Sequence, residues 1–352
     1  MSAADSRREN MAKVAVIGAG AWGTTLAWML GRRGWEVALW CRREELAQEL
    51  RATRHNRAYR PEVELPPTVR PTSQIQEALE GAAFAVIAVP AQVLRNVLSL
   101  SASHLSPDAL VVIAAKGVER ASGKRMTQVA AEVLGEEVKA RCGVLSGPNL
   151  SGEVAAGKPA AAVVAGPTQG WRQQCQSLFA SPLFRVYTNC DTIGVELCGA
   201  AKNVIAIAAG MSDGLGYGQN AKATLLTRGL AEMARLVAAS GGDARTCWGL
   251  AGLGDLIVTC HSPLSRNWTL GFHLGQGKSL EEARDMVWGV AEGVATCAAI
   301  RELAGPQADL PLMQAVYAVI YEGQEPAEVA RGLMARRWRD EAETWPELSR
   351  SR

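Results

Sequence analysis

The 352-residue sequence predicts an α/β chain in which a doubly wound parallel sheet is followed by an all-helical domain. Three observations predict it. Short apolar, β-branched runs alternate with helical stretches up to about residue 191, the spacing of parallel strands joined by crossover helices. Strand signals then vanish, and the later segments read as helices joined by Gly-, Ser- and Pro-containing turns. The first strand also ends in a Gly-rich turn, Gly18-Ala19-Gly20-Ala21-Trp22-Gly23, that opens a helix.

The run 14–17 has the pattern of a strand buried on both faces. Beyond it, Gly18 allows a tight turn, Gly20 lets the backbone approach a pyrophosphate, and Gly23 lets the helix at 24–30 pack closely on the strand. The amides and dipole of that helix end favour an anion. Such a turn is weak evidence alone, but with a second strand following at 36–40 it reads as a dinucleotide site of Rossmann type. The second strand runs into Cys41-Arg42-Arg43, with no acid to hold a ribose 2′-hydroxyl as NAD-selective sites usually have. Two guanidiniums suit a 2′-phosphate. Alternatively they are solvated charges opening a helix rich in Glu44, Glu45 and Glu49. The reading favours NADP, with NADPH preferred and NAD possible.

A helix to about 54 follows, then an irregular Pro-rich segment over 59–71. Further strands are expected at 84–89, 109–115, 142–145, 160–165 and 184–187, with helices at 74–79, 92–100, 126–134 and 169–179 between them. Ligands bind beyond the carboxyl ends of such strands, so Pro90, Lys116 and the 146–149 turn should border one cleft with the glycines. Helices are then expected at 193–209, 222–240, 248–256, 280–286, 294–303, 311–321 and 326–334. The expected boundaries are 1–10 for a disordered extension (with Met11 an alternative start), 11–191 for the NAD(P)-binding domain, 192–342 for a helical substrate-binding domain and 343–352 for a polar tail.

Net charge is +2, too balanced to point to nucleic acid or an anionic membrane. The eight cysteines form no CxxC pair, and the four histidines show no ligand spacing. No metal is expected, and the cysteines read as reduced core thiols of a cytoplasmic protein. No apolar stretch of bilayer length is seen, the longest lying around 204–211. Gly- and Ala-rich helices of the second domain would suit a homodimer interface.

Candidate chemistry centres on lysines. Lys116 ends a strand just before Gly117 and could bind a phosphate or polarise a carbonyl; elsewhere it would be an ordinary surface lysine. Lys202 interrupts an otherwise apolar helix, where partial burial lowers its pKa toward the range of acid–base work. A lysine snorkelling at the helix edge is the alternative. Asp255 follows a second Gly-rich turn, 249–254, which aims its carboxylate at Lys202 or a substrate hydroxyl, or lets it cap the next helix. Ser265-Arg266-Asn267 suits a phosphate monoester and is equally ordinary loop composition. Glu292, after Val290, could touch a nicotinamide amide or start a helix.

In chain order these residues form Gly-Ala-Gly-Ala-Trp-Gly, Trp-Cys-Arg, Ala-Val-Pro-Ala-Gln, Lys-Gly, Leu-Ser-Gly-Pro-Asn, Ala-Lys-Asn-Val, Gly-Leu-Gly-Asp-Leu-Ile-Val-Thr-Cys, Ser-Arg-Asn and Val-Ala-Glu-Gly-Val. Over roughly residues 12–340 the chain thereby resembles the bacterial-type NAD(P)-dependent glycerol-3-phosphate dehydrogenases. The resemblance implies Lys202 as proton acceptor and Lys116 in contact with cofactor and substrate. It implies Gly147, Asn149, Asp255, Ser265, Arg266 and Asn267 as holders of glycerol phosphate. Ala21, Trp22, Arg42, Lys116, Ser151, Arg266, Val290 and Glu292 would line the cofactor. Asn149 stands where the family more often has Ser or Thr, and Ser151 where it more often has Ala. The implied reaction is reversible NAD(P)H-dependent reduction of dihydroxyacetone phosphate to sn-glycerol 3-phosphate. A related β-hydroxyacid dehydrogenase and a non-catalytic NADP-binding sensor are the rival readings.

Overall fold

The computed structural model describes residues 12–305 and 308–341. The extension expected at 1–10, Met11 as a start and the tail at 343–352 lie outside the described residues. The chain divides into two compact units. Among the described residues, the first comprises those up to Ala115, Met126–Leu145 and Asn149–Cys190; the second takes Lys116–Arg125, Ser146–Pro148 and those from Asp191 onward. The division is thus less continuous than a single boundary near 191. An ion pair accounts for the first exception. Arg125 Nη1 donates to Glu196 Oε2 at 2.5 Å with both side chains largely buried, which ties the 116–125 segment to the helical unit.

In the first unit the elements run β1 (Lys13–Ile17), α1 (Ala21–Arg32), β2 (Glu36–Trp40), α2 (Glu44–Thr53), β3 (His55–Asn56), β4 (Arg60–Glu64), β5 (Val69–Thr72), α3 (Ile75–Leu79), β6 (Ala82–Ile87), α4 (Leu94–Ser101), β7 (Leu110–Ile113), α5 (Met126–Leu134), β8 (Cys142–Ser146), α6 (Ser151–Ala155), β9 (Ala160–Ala165), α7 (Gln169–Phe179) and β10 (Phe184–Asn189). Eight strands form one sheet in the order β10-β9-β8-β7-β6-β1-β2-β5. β1 pairs in parallel with both β2 and β6, and the pairs β2–β5, β6–β7, β7–β8 and β9–β10 are parallel too. The order reverses at β1, the switch point beside which such sheets bind ligands. The Pro-rich segment read as irregular supplies β4 and β5. β5 is an edge strand, where Pro71 is tolerated because one side has no ladder to donate to.

The second unit contains α8 (Thr192–Gly214), α9 (Gln219–Ala239), a 3₁₀ turn (Ala244–Trp248), a π turn (Leu250–Gly254), α10 (Asp255–His261), α11 (Arg266–Gly275), α12 (Leu280–Asp285), α13 (Glu292–Ala304), α14 (Pro311–Glu322) and α15 (Pro326–Met334). α8 is its axis, buried at every residue from Gly194 to Ser212. Asp191 caps it, accepting from the Gly194 N–H at 2.8 Å and the Thr246 hydroxyl at 2.7 Å. Contrary to the sequence reading, α8 is long and apolar enough to cross a bilayer by length and composition, but 94% of its apolar window is buried inside the protein. Glu196, Lys202 and Asn203 break the apolar run in sequence, and each finds a partner within the fold.

The sequence reading places no helix over 266–275 and leaves Ser265-Arg266-Asn267 open between a phosphate-binding set and ordinary loop composition. Instead Ser265 caps α11, its Oγ accepting from the Trp268 N–H at 3.3 Å. α11 and α8 meet backbone to backbone. A Cβ on Gly210 or Gly214 would overlap the carbonyl oxygens of Trp268 or Phe272, and one on Gly271 or Gly275 those of Ile207 or Met211. These four glycines are engaged within one chain. Seven of the eight cysteines are buried as expected of core thiols, whereas Cys190 is exposed.

Candidate active site

The first unit offers an anion cradle. Gly18 leaves β1 at φ +116°, and a Cβ there would lie 2.9 Å from the Ala88 carbonyl oxygen beyond β6. A Cβ on Gly23 would overlap the carbonyl oxygen of Gly18, so α1 starts in backbone contact with the turn. Gly20, the N-cap, has no side chain to occupy the helix end, and a Cβ at that position would meet nothing within 4 Å. The first turn, starting at Ala21 and Trp22, carries no acidic residue. An uncapped helix N-terminus facing open space at a switch point fits a dinucleotide pyrophosphate. Asn56 braces it from behind: its Nδ2 donates to the Ala19 carbonyl at 2.9 Å and the Thr24 hydroxyl at 2.8 Å. Arg42 and Arg43 follow β2, both exposed, and neither is in an ion pair among the described residues.

In the second unit, charges distant in sequence meet. Lys116 Nζ donates to Asp255 Oδ2 at 2.7 Å and to the Gly147 carbonyl at 3.0 Å. Lys202 Nζ donates to Asp255 Oδ1 at 3.1 Å and to the Thr259 hydroxyl oxygen at 2.8 Å. That hydroxyl in turn donates to Asp255 Oδ1 at 3.2 Å. Asp255 is 2% exposed and Lys202 7%. Burial raises the Asp255 carboxyl, but the Lys116 and Lys202 ammoniums outweigh burial and hold it below the usual carboxylate range. Burial pushes the Lys202 ammonium down, Asp255 opposes that and Lys116 adds to it, leaving Lys202 at about 8. Two cations around one carboxylate leave a surplus positive charge, suited to a developing oxyanion. A proton carrier poised near neutral pH suits acid–base transfer.

Local sequence builds this cluster. Gly199, one turn before Lys202, leaves room for the neighbouring chain: a Cβ there would lie 2.9 Å from Ser146 Oγ and 3.6 Å from Lys116 Cγ. The π turn, with Gly254 N–H donating to the Gly249 carbonyl at 3.2 Å, delivers Asp255 as the first residue of α10. Such wide turns often mark functional sites. An asparagine relay continues outward. Asn203 Oδ1 accepts from Asn267 Nδ2 at 2.9 Å, and Asn267 Oδ1 accepts from the Gly293 N–H at 2.9 Å, joining α8, α11 and α13.

Comparison with known proteins now bears on this geometry. The sequence profile of the NAD-dependent glycerol-3-phosphate dehydrogenase N-terminus matches residues 13–171, and that of the C-terminus residues 191–331. The chain belongs to this family. It is 49% identical over 328 residues to glycerol-3-phosphate dehydrogenase [NAD(P)+] of Corynebacterium glutamicum (strain R), covering 93% of this chain and 98% of the relative. It is 47% identical over 327 residues to the enzyme of the same name from Streptomyces coelicolor, covering 92% and 96%. The crystal structure of glycerol-3-phosphate dehydrogenase from Coxiella burnetii superposes with a TM-score of 0.88 at 35% identity, covering 93% of this chain and 100% of that one.

Of the residues singled out by the resemblance to glycerol-3-phosphate dehydrogenases, Lys116, Gly147, Lys202 and Asp255 come together in one cluster. Asp255 is not a helix cap; Gly254 holds that position. Asn267 joins the cluster's edge through Asn203. Ser265 is buried as a cap, and Arg266 is exposed at the start of α11. Near it run Gly289, where a Cβ would lie 3.3 Å from Arg266 Nη1, and the half-exposed Val290; Glu292 opens α13. Gly18, Gly20, Ala21, Trp22, Gly23, Arg42, Arg43, Asn149 and Ser151 belong to the first unit. There the Ser151 hydroxyl is engaged by Arg60 Nη2 and the Asn149 amide by the Ala161 carbonyl at 2.9 Å, so both polar groups have partners inside the chain. Sequence reasoning missed Thr259, Asn203 and Asn56. Thr259 lies one helical turn after Asp255 and Asn203 beside Lys202, a spacing that could have flagged them; Asn56 carries no such signal.

Proposed function

We propose that this chain catalyses reversible reduction of dihydroxyacetone phosphate by NAD(P)H to sn-glycerol 3-phosphate, supplying glycerophospholipid synthesis in the cytoplasm. The buried Lys116–Asp255–Lys202 cluster carries the reading. A nicotinamide dinucleotide would be held on the Gly18–Gly23 cradle and would supply the hydride chemistry. Protonated Lys202 delivers its proton to the ketone oxygen and is left as a neutral amine. In the reverse direction that amine takes the hydroxyl proton. Lys116 donates to the developing oxyanion and stabilises it, while Asp255 fixes both lysines. Arg266 and the backbone amides at the start of α11 hold the phosphate, with Asn267 tying that helix end to α8.

The proton step predicts opposite pH profiles. Reduction needs charged Lys202 and oxidation needs it neutral, so kcat/KM for reduction should fall as pH rises through about 8 and that for oxidation should rise there. Profiles moving in the same direction would remove Lys202 from the step.

NADPH preference is part of the proposal and rests on Arg42 and Arg43. Replacing both with alanine should raise KM for NADPH about tenfold or more, one charge-assisted hydrogen bond being worth about 1.5–3 kcal/mol, while KM for NADH holds. Equal effects on both cofactors would demote them to solvated charges. The reaction itself is tested by nicotinamide absorbance with dihydroxyacetone phosphate, NADPH and NADH side by side. Oxidation supports the proposal. Retained cofactor binding with no oxidation overturns it, and carboxylated substrates would then separate a β-hydroxyacid dehydrogenase from a sensor.

A further inference from the structure

Asp213, Lys222 and Trp268 form a second, part-buried cluster in the helical unit that the proton step does not use. Lys222 Nζ lies 2.5 Å from Asp213 Oδ2, and Trp268 Nε1 donates to the same oxygen at 2.7 Å. The Lys222 ammonium also sits 6.0 Å from the centroid of the Trp268 ring. Lys222 is 6% exposed, and an ammonium is costly to bury unless its place is well defined. Trp268 directly follows Arg266 and Asn267. Its backbone N–H is held by Ser265 and its indole N–H by Asp213 at the far end of α8, so the first turn of α11 is fixed at two points.

We propose that Asp213, Lys222 and Trp268 are positioning residues for the substrate-phosphate subsite at the start of α11. Lys222 acts through Asp213 and Trp268 and does not touch substrate. The proposal rests on the reading of α11 given above. Its physical basis is the glycine contact between α8 and α11. At the glycine positions there are no side chains to interlock, the feature that normally helps fix the rotation and register of packed helices. One residue of rotation turns a helix by about 100°, enough to carry Asn267 away from Asn203 and to re-aim Arg266. The directional bonds of the cluster supply the missing constraint.

The test is steady-state kinetics on the full-length enzyme with dihydroxyacetone phosphate and NADPH. Trp268→Phe keeps an aromatic six-membered ring but removes the indole N–H together with its five-membered ring; Lys222→Met deletes the charge; Lys222→Arg retains it. Trp268→Phe and Lys222→Met should raise KM for dihydroxyacetone phosphate about tenfold or more, in line with the cost of a small misplacement. kcat and KM for NADPH should stay near wild type, and Lys222→Arg should recover most of the loss. A fall in kcat at unchanged KM, or wild-type kinetics in Trp268→Phe, overturns the proposal; Trp268→Phe decides if Lys222→Met does not fold. Calorimetric titration with inorganic phosphate reads the subsite without turnover. A wild type that binds phosphate but ignores dihydroxyacetone phosphate overturns the functional reading alone. Equal phosphate affinity in wild type and Trp268→Phe, or none in either, overturns this one.

Discussion

Lys202→Ala should lower kcat in both directions by at least about 100-fold, the lower end for general acid–base catalysis. The protein should still fold, because Asp255 keeps its 2.7 Å partner Lys116 and the lost ammonium was itself held against a burial penalty. Cofactor affinity should be unchanged, since Lys202 is not among the residues expected to line the cofactor. Lys202→Arg separates charge from proton transfer. A guanidinium preserves the cation beside Asp255 but does not release a proton at working pH, so this variant should be as slow as the alanine one. Single-turnover oxidation of NADPH, with binding measured separately by fluorescence, checks both. A folded Lys202→Arg enzyme with near wild-type kcat would mean that Lys202 serves only as a charge.

Asp255→Asn should have the largest effect on stability. It leaves two ammoniums facing each other around a neutral amide in a site where Lys202 is 7% exposed, and breaking a buried ion pair from one side typically costs about 3–5 kcal/mol. The carboxylate is also what raises the Lys202 pKa against burial, so that pKa should drop below its value of about 8. The sign of the pH dependence follows. A lysine whose folded pKa is depressed destabilises the native state while protonated, so stability recovers as pH rises through the folded pKa. The deficit of Asp255→Asn relative to wild type should be greatest in mild acid and should shrink as pH approaches about 8, above which Lys202 is neutral in both proteins. Thermal unfolding of the two proteins at pH 6 and pH 9 reads this directly. A deficit that grows with pH would show that the carboxylate does not compensate lysine charge.

Much of this was legible in the sequence because the signals are local. The Gly18–Gly23 turn sits between a strand and a helix; Gly18 is required by a contact at the end of a neighbouring strand and Gly23 by one within the turn, while Gly20 leaves the helix end open. Lys202 stands out as a charge in an apolar run. What sequence hides is what tertiary partners decide. Pro71 suggests a loop until its place on a sheet edge is known. Ser265-Arg266-Asn267 has loop composition because a helix cap and a loop favour the same residue types. The mate of Lys202 lies 53 residues away and that of Lys116 139, separations at which no periodicity survives. Asn56 reaches Ala19 across 37 residues for the same reason.

The interleaved division of the chain limits how such a protein can be cut and recombined. Lys116 and Gly147 are encoded among the strands of the nucleotide-binding sheet, yet they pack with Asp255 in the helical unit. A fragment ending at residue 190 would carry Lys116 away from its carboxylate, and the complementary fragment would keep Asp255 with one cation instead of two. The two halves are therefore not interchangeable cassettes. Grafting the helical half onto a foreign nucleotide-binding half would transplant an incomplete charge cluster unless 116–125 and 146–148 travelled with it.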